Sequence, residues 1–180
     1  MKWRAFFLLM ATFSASAASA VPPLAVGDPL PELRGSFLTE REAVLPGAAA
    51  GRVALLLFGF TYDSRFAVEP WANKFHLEYR ENSRVTYFEV PMISGINVLG
   101  KWFINRGMRS GTPQEAQENV ITVYGGVDPW KVRLGFSDPK AAYLVLLDQN
   151  GRVAWAHNGG FTDEAYYELS AHMRMLLDSK

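Results

Sequence analysis

The stretch Arg52-Val53-Ala54-Leu55-Leu56-Leu57-Phe58-Gly59-Phe60 carries no charge after its first residue and is apolar almost throughout. A short, continuous apolar run of this kind is the mark of a strand covered on both faces, so it is read as the central strand. Asp63-Ser64 follows as a helix start, and Val68, Trp71, Phe75 and Tyr79 recur at steps of three and four, tracing one apolar stripe on a helix that ends near Glu81-Asn82 and is expected to kink at Pro70. Arg84 to Pro91 is β-branched and aromatic, a second strand. Strand, helix, strand makes a right-handed βαβ unit whose strands run parallel.

On the C-terminal side, Tyr143 to Leu147, the turn Asp148-Gln149-Asn150-Gly151 and Arg152 to Trp155 predict an antiparallel hairpin, with Asn-Gly supplying positive φ angles. Gly159-Gly160 breaks its second strand. Thr162 is a cap, and Tyr166, Leu169, Met173, Leu176 and Leu177 form the stripe of a last helix. Between the two units lies an insertion, about residues 96–134. It holds a short helix around Leu99, Trp102 and Phe103 closed by Gly107, a capped start at Thr112-Pro113-Gln114-Glu115, and another at Asp128-Pro129. The order β-α-β, insertion, β-β-α resembles the thioredoxin-like fold, an α/β class with a central mixed sheet flanked by helices.

Toward the N-terminus, residues 21–35 carry four of the ten prolines and are expected as an extended lead-in crossing the body. Residues 1–20 have a basic start at Lys2 and Arg4, an apolar run from Ala5 to Phe13 too short to cross a bilayer, and Ala18-Ser19-Ala20 as a cleavage site. They are read as a cleaved signal peptide, leaving one domain over 21–180 with no membrane span, in a periplasmic or secreted location. Cleavage takes the 18 basic groups to 16 against 18 acidic ones, a net charge of −2. The balance gives no field to attract nucleic acid. Cys is 0, which excludes disulfide exchange, thiol peroxidase chemistry and cysteine-bound metals.

In such a fold the helix start after the central strand is where a positive dipole end makes a thiol reactive. Here it reads Thr61-Tyr62-Asp63-Ser64-Arg65. Leu57 to Pro70 resembles the strand-turn-helix of thioredoxin-like oxidoreductases, with Tyr62 and Arg65 where the two cysteines would stand. A second register, that of the copper-chaperone branch, puts Asp63 and Ala67 there. Ala142 takes the place of the usual cis-proline, with Pro139 just upstream. Asp63 is read first as an N-cap, and Ser64 as a capping hydroxyl rather than a nucleophile. Tyr62 and Arg65 flank it, either as a receiving cluster for a partner peptide or as a solvated loop. Trp102 and Trp130, in the insertion, are further partner contacts if exposed. His76 and His172 are expected on exposed helix faces and His157 after a strand end, a scatter that points to no metal; no catalytic residue and no cofactor are implied.

The mature chain is also similar to the family of the mitochondrial ATP synthase assembly factor of fungi. The likeness lies in Trp71 with Phe75, Glu89-Val90, Tyr124-Gly125, Leu134-Gly135, and Tyr143, Leu147, Asp148, Gly151-Arg152 and Trp155 through Gly159. That resemblance implies a redox-inactive assembly factor whose partner is a protein, with a membrane-protein subunit as client. The alternative is a non-thiol enzyme or small-ligand binder using the same helix start, with Asp63, Arg65 and His157.

Overall fold

The computed structural model describes residues 21–178, so the leader read over residues 1–20 lies outside the described residues. In chain order the elements are β1 (Leu33–Phe37), β2 (Glu42–Leu45), β3 (Val53–Gly59), α1 (Arg65–Tyr79), β4 (Val85–Ile93), α2 (Val98–Gly111), β5 (Ile121–Tyr124), α3 (Val127–Arg133), β6 (Ala142–Leu147), β7 (Val153–Gly159) and α4 (Asp163–Asp178). They build one seven-stranded sheet in the order β2-β1-β5-β4-β3-β6-β7.

Six of the seven β3 residues are buried, as the unbroken apolar run requires. The strand lies parallel to β4, from Val53 opposite Val85 to Gly59 opposite Pro91, and antiparallel to β6, with Leu56 opposite Val145. Its side chains alternate between two cores. Val53, Leu55 and Leu57 join Trp71 and Phe75 of α1 and Leu169 and Met173 of α4. Ala54, Leu56 and Phe58 join Phe37, Val90, Ile121, Trp130 and Tyr143 on the other face.

The region expected as an insertion is mostly part of this body. β5 runs parallel to β4 and antiparallel to β1, and α3 buries Val127 and Trp130. Four residues are too few to show an alternation, which hid β5 in the sequence. The lead-in likewise contains β1, which pairs with β2. Gly35 permits its approach to β5, since a Cβ there would meet Ile121 Cγ2 and the Thr122 carbonyl at 2.7 Å. Ahead of β1 the chain does run extended, with Gly27 N–H donating to Val153 O at 2.7 Å and Leu30 N–H to Gly151 O at 2.9 Å.

Several local expectations are corrected. α2 continues past Gly107 to Gly111, and Gln114–Asn119 is a 3-10 turn without a side-chain cap. Gly126, in a left-handed conformation, precedes α3, while Asp128 lies in its first turn. At the β6–β7 turn Gly151 alone takes a positive φ, +76°. Asp148 organises that turn, its Oδ1 accepting from the N–H groups of Asn150 and Arg152 at 2.9 and 2.8 Å. Thr162 does cap α4, its Oγ1 accepting from Ala165 N–H at 3.1 Å.

Trp130 is 5% exposed and stacks on Phe58 with ring centroids 5.6 Å apart. It is a core residue and no partner contact. Trp130→Ala is expected to cost about 4 kcal/mol of stability, the usual loss for a buried tryptophan, in a denaturant titration followed by circular dichroism.

Candidate functional site

β3 ends at Gly59, directly beneath the start of α1. A Cβ on Gly59 would meet Ser64 Oγ at 2.5 Å, so glycine is what allows the helix end to close onto the strand end. Ser64, 2% exposed, stands at the N-cap position but makes no cap bond to the helix. Its hydroxyl instead turns back, donating to Thr61 O at 2.7 Å and accepting from Thr61 N–H at 3.4 Å. Thr61 Oγ1 in turn donates to Pro139 O at 2.6 Å, tying this loop to the segment that leads into β6. The Asp63 side chain takes no part, so the N-cap expectation for Asp63 is corrected. The strand end already satisfies the turn from below, through Ser64 and Thr61.

That geometry pushes Tyr62, Asp63 and Arg65 outward. Tyr62 is 73% exposed and Phe66 61%. The Arg65 guanidinium carbon lies 4.2 Å from the Tyr62 ring centre and 4.6 Å from that of Phe66, a cation held by two exposed aromatic rings. Beside them opens a groove of about 600 Å³ lined by Asp63, Phe66, Ala67, Pro70, Lys140 and Phe161, with Gly160 at its rim. Its walls come from the first turns of α1, the loop before β6 and the loop between β7 and α4. Apart from Asp63 and Lys140 the lining is uncharged.

Behind the groove, Phe161 meets Trp71 edge-on at 5.2 Å. Trp71 is fully buried and also touches Trp155, His157 and Tyr166; among the described residues its indole N–H has no acceptor. His157 lies inside β7 rather than after it, stacked on Trp155 at 5.6 Å, and burial pushes its pKa down. It packs the aromatic core. His76 is exposed and His172 half-buried against Trp155. Ala142 is fully buried within β6, and among the described residues the cis peptide bond is Leu45-Pro46, so neither Ala142 nor Pro139 provides one beside the groove.

Of the sequence candidates, then, Tyr62, Asp63 and Arg65 come together. Trp102 is exposed on α2 and does not line the groove, and Trp130 is in the core. Phe66, Lys140 and Phe161 were missed. Phe66 sits next to Arg65 and was open to detection as an apolar residue off the Val68-Trp71-Phe75 stripe. Lys140 and Phe161 converge only through the fold.

No protein-family model and no curated protein sequence matches this chain. Many solved structures do. A protein assigned as the thiol:disulfide interchange protein DsbE of Chlorobium tepidum aligns at 20% identity over 86% of this chain and 99% of that one, with a TM-score of 0.58. The exposed lipoprotein thioredoxin of Streptococcus pneumoniae aligns at 12% identity over 80% and 99%, with a TM-score of 0.55. The thioredoxin domain of a thiol-disulfide oxidoreductase from Bacteroides vulgatus does so at 18% identity over 82% and 97%, also with 0.55. The fold is thioredoxin-like. The likeness to these thiol enzymes is one of fold, and this chain has no cysteine to carry their chemistry.

A half-buried carboxyl lies outside the groove. Glu89, on β4, has its carboxyl raised to about 7, first by burial and then by the charge of Glu69. A carboxyl raised in the fold stabilises it while protonated, and that contribution is lost as pH climbs from the ordinary value near 4.5 through about 7. The stability advantage of Glu89→Gln over the parent is expected to grow by about 2 kcal/mol between pH 5 and pH 8, read from thermal or urea unfolding at each pH. The turn gives a second contrast. Ser64→Ala should cost about 1–2 kcal/mol by leaving Thr61 N–H without its partner, whereas Asp63→Asn should stay within about 0.5 kcal/mol of the parent, both measured by urea unfolding.

Proposed function

We propose that this chain is an exported, redox-inactive thioredoxin-like protein that binds a segment of a partner protein in the groove at the start of α1. The observation that carries the reading is the Tyr62–Arg65–Phe66 stack at the mouth of that groove. Arginine and aromatic residues dominate the energetics of protein interfaces, and here they are already ordered in the free protein, which lowers the entropy that binding must overcome. The uncharged walls from Ala67, Pro70 and Phe161 supply apolar surface beside them. Export is supported by the leader-like residues 1–20, and a fold neighbour is described as an exposed lipoprotein.

Assembly of a membrane protein complex is the role that the assembly-factor resemblance suggests, with a membrane-protein subunit as client. The residues that carry it are largely structural: Trp71, Phe75, Tyr143, Leu147 and Trp155 are all buried. They support a shared scaffold more than a shared client, so the binding role rests on the groove itself.

The test is affinity purification of the tagged protein from its native envelope after mild crosslinking, beside a Tyr62→Ala/Arg65→Ala form. A specific membrane protein should be recovered with the parent and fall at least about tenfold in the double variant, the loss of one interface anchor being worth that much. Equal recovery of the same proteins by both forms overturns the reading and turns attention to small ligands.

A further inference from the structure

Among the described residues, α2 is the one long helix that buries none of its residues. It is fixed to the body by polar contacts. Tyr124 Oη bonds Asn105 Oδ1 at 2.6 Å, Arg109 Nε donates to Leu38 O at 2.9 Å, and Arg109 Nη2 pairs with Glu40 at 2.7 Å. Asn97 caps its start, Oδ1 accepting from Gly100 N–H at 2.8 Å. These contacts hold the side bearing Lys101, Asn105 and Met108 toward the sheet. The other side, in its first two turns, points Val98, Leu99, Trp102 and Phe103 at solvent, 81%, 71%, 55% and 67% exposed.

The charge of this segment departs from that of the chain. One residue in ten is acidic overall, yet none of the 25 residues from Val90 to Gln114 is Asp or Glu, while Lys101, Arg106 and Arg109 lie among them. Arg109 is neutralised by Glu40 and Lys101 lies over the Tyr124 ring at 4.9 Å on the sheet side, while the exposed Arg106 has no carboxylate partner among the described residues. Arg106 stands 5.4 Å from the Trp102 ring, at the border of the apolar face. Adjacent exposed apolar and aromatic side chains bordered by an unpaired arginine, in a segment without acidic residues and on a helix held from behind, are the composition of an interfacial helix that lies in the headgroup region of a bilayer. Trp is at home at that depth, and cations beside it are drawn to anionic lipid.

From this charge complementarity we infer that α2 docks the protein on an anionic membrane surface, with Val98, Leu99, Trp102 and Phe103 entering the interface and Arg106 meeting lipid phosphates. The contact is reversible and depends on salt, since one short helix and one exposed cation fall below what permanent anchoring needs. It is separate from the groove at α1.

Flotation with vesicles tests it, using protein purified from the exporting cell. Vesicles of equal parts phosphatidylglycerol and phosphatidylcholine should bind at least tenfold more tightly than phosphatidylcholine alone, and less so as salt is raised. Trp102→Ser/Phe103→Ser and, separately, Arg106→Glu should each lower binding about tenfold with unchanged circular dichroism, because these side chains are exposed. Tyr62→Ala/Arg65→Ala should bind vesicles as the parent does, so failure here is distinct from failure of the groove. Absence of binding to the anionic vesicles overturns the proposal. So does binding that survives both α2 variants, or an α2 variant that leaves vesicle binding intact while losing a crosslinked protein.

Discussion

Covering β3 on both faces is the constraint from which the rest of the molecule follows. An uncharged strand of seven residues is stable only where water is kept from either side. One layer comes from α1 and α4, and the other from α3 with side chains of β1, β4, β5 and β6. The aromatic residues concentrate in those layers, Phe58 on Trp130 on one side and Trp71 with Trp155 on the other. Because β3 is held so firmly, the chain leaving it has a defined place and direction, which is what a binding loop requires of its scaffold.

The loop inherits that order through a short relay. Gly59 lets Ser64 sit over the strand end, Ser64 closes the turn onto Thr61, and Thr61 reaches Pro139 across 78 residues of sequence. With the backbone of the turn satisfied internally, its remaining side chains have no structural duty there. Tyr62, Asp63 and Arg65 are therefore free to face solvent. The same closure joins the loop before β6 to the start of α1, so two walls of the groove are tied by a hydrogen bond.

Much of this was legible in the residues. The run at Val53–Gly59, the α1 stripe and the Asp148–Gly151 turn each contain their own signal within a few positions, and each stands where it was expected. β1 and β5 carry none, because Gly35 interrupts the alternation of one and the other is four residues long; both are strands through pairing with each other. Trp130 illustrates the same limit. Its neighbours Pro129, Lys131 and Arg133 read as surface, and only the stack on Phe58 places its ring inside. At the site, Tyr62, Asp63 and Arg65 were legible as a cluster because they lie within four positions directly after the central strand. Lys140 and Phe161 arrive from the far end of the chain, and no local pattern announces them.

Arg65 also breaks a local rule, and does so at the place where binding is proposed. It is the first residue of α1, and the first turn of that helix contains no acidic residue. A cation at the positive end of the helix dipole is unfavourable, and carboxylates are the residues that stabilise such an end. Stacking between Tyr62 and Phe66 recovers part of the loss, but it adds no negative charge. Violations of this kind persist where a sequence serves function over stability. Asp63, directly before the cap position Ser64, is the carboxylate at that end, and it lines the groove as well. In the reading proposed above, a bound segment meets charge from Asp63, Arg65 and Lys140 and apolar contact from Phe66, Ala67, Pro70 and Phe161.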